Sequence, residues 1–266
     1  SLINEEFGFL DKNKMRADFL EYFRKKMHNK DHKWKVVYNH FYNFVNGKCS
    51  FGDVTVDLCK KFREYLLGAK QLKHSKHPVS QNSASAYYST FRGLLKIAYI
   101  EKMFKENLND YLEKIDCQDT KREYLTLDEV KRLAATPCKI PVLKAASLFS
   151  CLTGLRISDI LNLQWSDFGL APDRGYCIRI RTQKTKTEAT LPISYEAYEL
   201  CGEVGTGKVF KGLTRSMINY PLKHWLAEAG IEKHVTFHCF RHTFATLQIA
   251  AGTDIYTVSK MLTHRN

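Results

Sequence analysis

The chain has 266 residues, with 41 Lys and Arg against 28 Asp and Glu, and a formal net charge of +13 at pH 7. That length holds one large domain or two of ordinary size, and the charge fits either a polyanionic partner such as nucleic acid or a soluble protein with a solvated basic face. A membrane-spanning helix is excluded because no apolar run approaches the roughly 18 residues needed. A disulfide framework or zinc knot is excluded because the 8 cysteines are scattered without a C-x-x-C pair, as free thiols of a reducing cytosol are. The first ten residues carry Glu5 and Glu6 and no signal-peptide pattern, so a soluble, cytoplasmic protein without a membrane partner is expected.

The front of the chain reads as helical. Phe19, Leu20, Phe23 and Met27 recur at helical spacing, as do Val37, Phe41 and Phe44. Asp53-Val54-Thr55 opens a helix carrying Leu58, Phe62, Tyr65 and Leu66, and Gly68 marks its end. A polar, basic loop over 70–80 precedes a long helix through Tyr87, Phe91, Leu94, Leu95, Ala98 and Tyr99. Four or five helices with short connections predict a small bundle over 1–113. The polar stretch 114–123 reads as a linker, and 124–266 as a second domain. Residues 1–115 hold 21 Lys and Arg against 13 acids, and the rest hold 20 against 15, so both parts are basic.

The second domain opens with a capping box, Thr126 with Glu129 three residues on. A helix follows from about Pro141 to Leu152, stopped by Gly154, and Ser158-Asp159 is placed to cap the next one. Tyr176 to Thr182 alternates with period two, the mark of a strand. Glu188 to Ile193 is its expected hairpin partner, across the loop 183–187. From Thr214 onward the chain reads as helical again. The fold class is therefore mainly α with a small β-sheet.

Two segments stand out chemically. Thr153-Gly154-Leu155-Arg156-Ile157-Ser158-Asp159 and His238-Cys239-Phe240-Arg241-His242-Thr243 each set an arginine inside an apolar stretch. There a permanent charge is costly unless an anion meets it. On a helix His238 and Arg241 share one face; a guanidinium grips two phosphate oxygens at once, and an imidazole titrates near neutrality. Plainer readings stand beside these. Arg156 can pair with Asp159, and His238 can cap a helix. Lys184, at the hairpin tip, can be solvated, and His264 can simply face a helix dipole. A zinc reading of His238 and His242 fails, because Cys239 stands where a glutamate is needed.

Taken together, Arg156, a hairpin lysine, His238-x-x-Arg241 and His264 resemble, in order and spacing, the tyrosine recombinase (phage integrase) family. The resemblance covers nearly the whole chain. It implies a core DNA-binding domain over 1–113 and a catalytic domain over 124–266, with Arg156, Lys184, His238, Arg241 and His264 as catalytic residues. Lys184 is chosen over Lys186 by counting back from Leu191-Pro192. The implied reaction is cleavage and rejoining of DNA strands through a 3′-phosphotyrosyl link, with no metal, nucleotide or other cofactor. The implied partner is double-stranded DNA in a bacterial cytoplasm, with a homo-tetramer on DNA for the full-length protein and a monomer for this chain. The long helix near Asn82, Tyr88 and Arg92, together with the basic loop before it, is placed, by position, as the groove-facing part. Two departures are small: Phe240 replaces a usual leucine and Thr263 a usual glycine. The family's nucleophile would lie about nine residues past His264, so a truncated form, inactive in cis, is expected. Alternatives are a non-catalytic DNA-binding regulator of the same fold, a type IB topoisomerase-like enzyme, and a metal-dependent nuclease, which needs clustered carboxylates.

Overall fold

The computed structural model describes residues 12–73, 76–171, 175–181 and 188–262. The chain divides into two compact units, Ser1–Thr120 and Lys121–Asn266. Among the described residues no helix is long and apolar enough to cross a membrane.

The first unit holds helices α1 (Phe19–Met27), α2 (His32–Phe44), α3 (Val56–Gly68) and α4 (Gln81–Ile100). Each begins where a short polar side chain takes up exposed amides: Asp18, Asp31, Thr55 and Ser80 all accept a backbone N–H of the following turn. The apolar spacings converge on an aromatic core. Phe19, Phe23, Phe41, Phe51, Phe62 and Phe91 are essentially inaccessible, and Phe41 and Phe62 lie 5.0 and 4.9 Å from the Phe91 ring. Burying each such ring stabilises the fold by about 1.5–3 kcal/mol.

Residues 115–118, inside the stretch read as a linker, are docked on the start of α4. Gln81 and Ser85 donate to the carbonyls of Asp116 and Ile115 (2.8 and 2.7 Å). Asn82 donates to Gln118 O (2.9 Å) and accepts from Gln118 N (2.7 Å). Ile115 is buried in the bundle core.

The second unit is built around α6 (Pro141–Thr153), which follows α5 (Leu127–Ala135). The α5 capping box forms as expected, and Glu129 also takes a 2.7 Å bond from Lys233. Helix α6 is apolar nearly all round, with Leu143, Ala146, Phe149 and Cys151 buried, as befits a central helix. Two of its buried hydroxyls are satisfied locally, Ser150 donating to Leu155 O and Thr153 to Phe149 O, while the buried Ser147 hydroxyl has no hydrogen-bond partner among the described residues. A one-turn helix α7 (Ile157–Ile160) precedes an antiparallel sheet in the order β1 (Phe168–Leu170), β2 (Tyr176–Arg181), β3 (Glu188–Pro192). Its register sets Cys177 against Pro192 and Arg181 against Glu188. Then come α8 (Tyr195–Glu199), α9 (Tyr220–Glu228), α10 (Phe237–Ala250), packed on α6, and α11 (Ile255–Met261).

Two features depart from the sequence reading. Ser158 and Asp159 do not cap α7: Arg156 holds the N-cap position, and Asp159 lies inside the helix, buried. The strand β1 and helix α8, three and five residues long, are too short for a periodic signal.

Candidate active site

The two arginine segments meet in the second unit. Helix α6 ends on Gly154, whose left-handed backbone (φ +69°) turns the chain sharply and presents a carbonyl to Arg241. Arg241 projects from the second turn of α10 and is 5% exposed. Its Nη1 donates to Gly154 O at 2.5 Å, and its Nη2 donates to Leu262 O. Two main-chain carbonyls from separate segments thus fix the guanidinium plane. Leu262 is itself anchored by packing with Phe244 and Val258.

Burial pulls the Arg241 guanidinium down to about 10. The neighbouring Arg156 charge adds to that fall, and the Asp159 carboxylate opposes it. Arg241 is therefore still cationic at neutral pH. Arg156, at the head of α7, is half-buried, and its Nη1 is buried with no hydrogen-bond partner among the described residues. A buried unsatisfied donor costs about 1–3 kcal/mol. Two guanidiniums beside one buried carboxylate leave an excess positive charge and unused planar donors, the chemistry that grips a phosphate.

His238 lies three residues before Arg241 in the first turn of α10 and is exposed. Its ring stands perpendicular to that of His242, 4.9 Å between centroids. The turn is closed by an unusual capping pair, with Thr236 N donating to Cys239 Sγ at 3.3 Å. Lys184 and His264 lie outside the described residues. Among those residues, no three His, Cys, Asp or Glu side chains are grouped so as to hold a metal ion.

Sequence reasoning missed four contributors: Asp159 as the buried countercharge, the carbonyls of Gly154 and Leu262, and Thr243. The Thr243 hydroxyl accepts from Leu125 N (2.9 Å) and donates to Cys239 O (3.0 Å), tying the start of the unit to α10. Gly154, Asp159 and Thr243 all lie inside the two segments that drew attention to the arginines.

The expected DNA-facing residues of the first unit are placed otherwise. Tyr88 is 1% exposed, its hydroxyl donating to Cys59 O at 3.2 Å. It is a core residue, and its placement in the groove-facing part is corrected. Asn82 holds Gln118, and Arg92 donates to the Asn109 side chain and carbonyl at 3.2 and 3.3 Å. A second group of basic residues lies elsewhere in the unit, part of it paired: Arg24 and Lys25 with Glu21, and Lys26 with Glu101. The sequence 24–35 contains Arg24, Lys25, Lys26, Lys30, Lys33 and Lys35 with Asp31 as its one acid. In the fold Arg24, Lys30 and Lys35 join Lys73, from the loop before α4, around a cavity of about 800 Å³.

A helical bundle followed by a mainly helical unit with a three-stranded sheet and paired arginines at the end of its central helix is the architecture of the tyrosine recombinases. Residues 123–266 match the model of the phage integrase family, and residues 17–115 match that of the phage integrase SAM-like domain. The tyrosine recombinase XerD of Lacticaseibacillus casei is 28% identical over 217 residues, 73% of this chain and 72% of that protein. A tyrosine recombinase of Thermosipho africanus is 23% identical over 263 residues, covering 95% and 90%. A solved lambda integrase fragment, crystallised as a dimer on a COC′ core site, shares the fold. Its TM-score is 0.69 at 17% identity, over 92% of this chain and 90% of that one. The chain belongs to the phage integrase family, the site-specific tyrosine recombinases.

Proposed function

We propose that this protein cleaves and rejoins double-stranded DNA at a specific site through a 3′-phosphotyrosyl link, with Arg156 and Arg241 clamping the reacting phosphate. The observation that carries the reading is the pairing of a buried Arg241, fixed by two main-chain carbonyls, with Arg156, whose buried Nη1 donor has no partner among the described residues. In-line attack on a phosphodiester builds charge on the non-bridging oxygens. Donors fixed in advance stabilise that charge more than they stabilise the ground state.

His238, exposed one helical turn before Arg241, is suited to donate to the phosphate or pass a proton near the nucleophile. The family resemblance assigns His264 as a further donor and Lys184 as the acid that protonates the departing 5′ oxygen. It also places the attacking tyrosine past His264. Because the covalent link conserves the energy of the broken bond, no nucleotide is required. Resemblance likewise supports a homo-tetramer on two duplexes.

In the first unit, the cationic cavity edged by Arg24, Lys30, Lys35 and Lys73 is the face best suited to the DNA backbone, in place of the Tyr88 side of α4. The test of the clamp uses a protein carrying the tyrosine segment and a nicked duplex that traps the covalent complex. Arg156→Ala and Arg241→Lys should each lower covalent-complex formation by at least about 100-fold, with duplex binding little changed. Near-normal cleavage by either variant would overturn the assignment.

A further inference from the structure

We propose that the cavity of the first unit is a nucleotide site: a base enters its apolar interior, against Tyr87 and His40, while the attached phosphate rests on the cationic rim. Where that nucleotide belongs to DNA, the proposal rests on the reading that this rim lies on the DNA backbone.

The volume of about 800 Å³ lies within the range of small-molecule sites, which combine apolar walls with a few placed polar groups. Met27, Val36, Leu72 and Val79 supply apolar wall from α1, α2 and the segment before α4. Four cations line the cavity against the single carboxylate of Asp31. That carboxylate already accepts from Lys33 N at 3.0 Å, and Arg24 is paired with Glu21. An entering anion therefore falls to Lys30, Lys35 and Lys73.

His40, from α2, lines the same cavity. It is 1% exposed, and neither of its ring nitrogens has a hydrogen-bond partner among the described residues. Burial lowers its titration, so the ring is neutral, with one nitrogen a donor and the other an acceptor. Buried polar atoms left without partners are unfavourable, and a ligand that supplies partners gains accordingly. The Tyr87 ring, from α4, lies 5.7 Å from the imidazole.

These features select among ligand chemistries. A fatty chain leaves both nitrogens unpaired and the lysines unused. A carboxylate reaches the lysines but offers only acceptors to His40. A nucleotide meets all three demands: a flat face for the Tyr87 ring, donors and acceptors along the base edge for His40, and a phosphate for the lysines.

The nucleotide comes from solution or from an unstacked position in bound DNA, and two arms of one experiment on the full 266-residue chain separate these sources. Calorimetry titrates dAMP, with deoxyribose 5-phosphate as the control without a base. Fluorescence anisotropy compares a fully paired duplex, the same duplex with a single-base bulge, and one whose bulge is abasic. In at least one arm the base should tighten binding by roughly fivefold or more, the effect of stacking one base on an aromatic ring. Preference for dAMP alone assigns the site to free nucleotide, and preference for the intact bulge assigns it to DNA. His40→Phe keeps a flat ring without the nitrogens, and Tyr87→Leu removes the stacking face. Each should remove more than half of the base preference. Because His40→Phe deletes two unpaired buried atoms, its urea midpoint should equal or exceed the parent's. Equal binding with and without the base in both arms overturns the proposal, as does a base preference that neither variant moves. The triple variant Lys30→Gln, Lys35→Gln and Lys73→Gln tests the underlying reading separately. If it binds the paired duplex as tightly as the parent, the rim does not face DNA, and the dAMP arm alone then decides the nucleotide site.

Discussion

Gly154 shows how a residue without a side chain organises the phosphate clamp. Its positive φ lets α6 stop abruptly and turns its carbonyl toward Arg241. A Cβ at this position would lie 2.6 Å from Phe244 Cδ1 and 2.7 Å from Leu262 Cδ2, and those two side chains pack under the second carbonyl that holds Arg241. Gly154→Ala therefore combines left-handed strain, about 1–2 kcal/mol, with overpacking of about 1–3 kcal/mol. Urea unfolding should show a loss of roughly 2–5 kcal/mol from these two sources, and an alanine variant as stable as the parent would contradict the packing described. The arginines were legible in the sequence because a charge in an apolar segment needs an explanation. Gly154 was legible as a helix stop but not as a hydrogen-bond acceptor, since its backbone acts only through a residue far along the chain. Asp159 was misjudged as a cap because the local pattern favours one; its burial beside Arg156 and Arg241 is a tertiary event.

At the level of elements, α10 carries the site because both its faces are spoken for. Phe237, Phe240 and Phe244 bury one side, and Thr243 links the helix to the entry of the unit at Leu125. Thr243→Val keeps the shape while removing the acceptor for a buried N–H, which should cost about 1–3 kcal/mol. The check is the urea midpoint of unfolding, which should fall with an unchanged slope; a midpoint equal to the parent's would show that Leu125 finds another acceptor. Helices α1 to α6 were readable because their caps, glycine stop and apolar periodicity agree with one another. The failures at β1 and α8 are failures of length: three and five residues carry no period, and pairing with β2 or packing on α6 decides their conformation. Tyr88 failed for another reason. On an amphipathic helix a tyrosine suits either face, and only the position of Cys59 O shows which one it takes.

For the molecule as a whole, net charge was visible from composition, but the place where it acts was not. The run 24–35 and Lys73 are distant in sequence, and only the packing of the bundle brings them around one cavity. This makes the salt dependence of DNA binding a sharp probe. Each phosphate neutralised releases counterions, and the logarithm of affinity falls against the logarithm of salt with a slope of about −0.9 per contact. If Lys30, Lys35 and Lys73 each hold one phosphate, replacing all three with Gln should reduce that slope by about three. Arg156→Ala, removing a grip on a single phosphate, should reduce it by about one at most. Both slopes come from titrating one duplex over a series of salt concentrations. Equal slopes for the parent and the triple variant would mean that the +13 charge engages DNA elsewhere. A large fall for Arg156→Ala alone would mean that the paired arginines bind ground-state DNA strongly. The clamp would then act less through the transition state, because interactions already complete in the bound substrate do not lower the barrier.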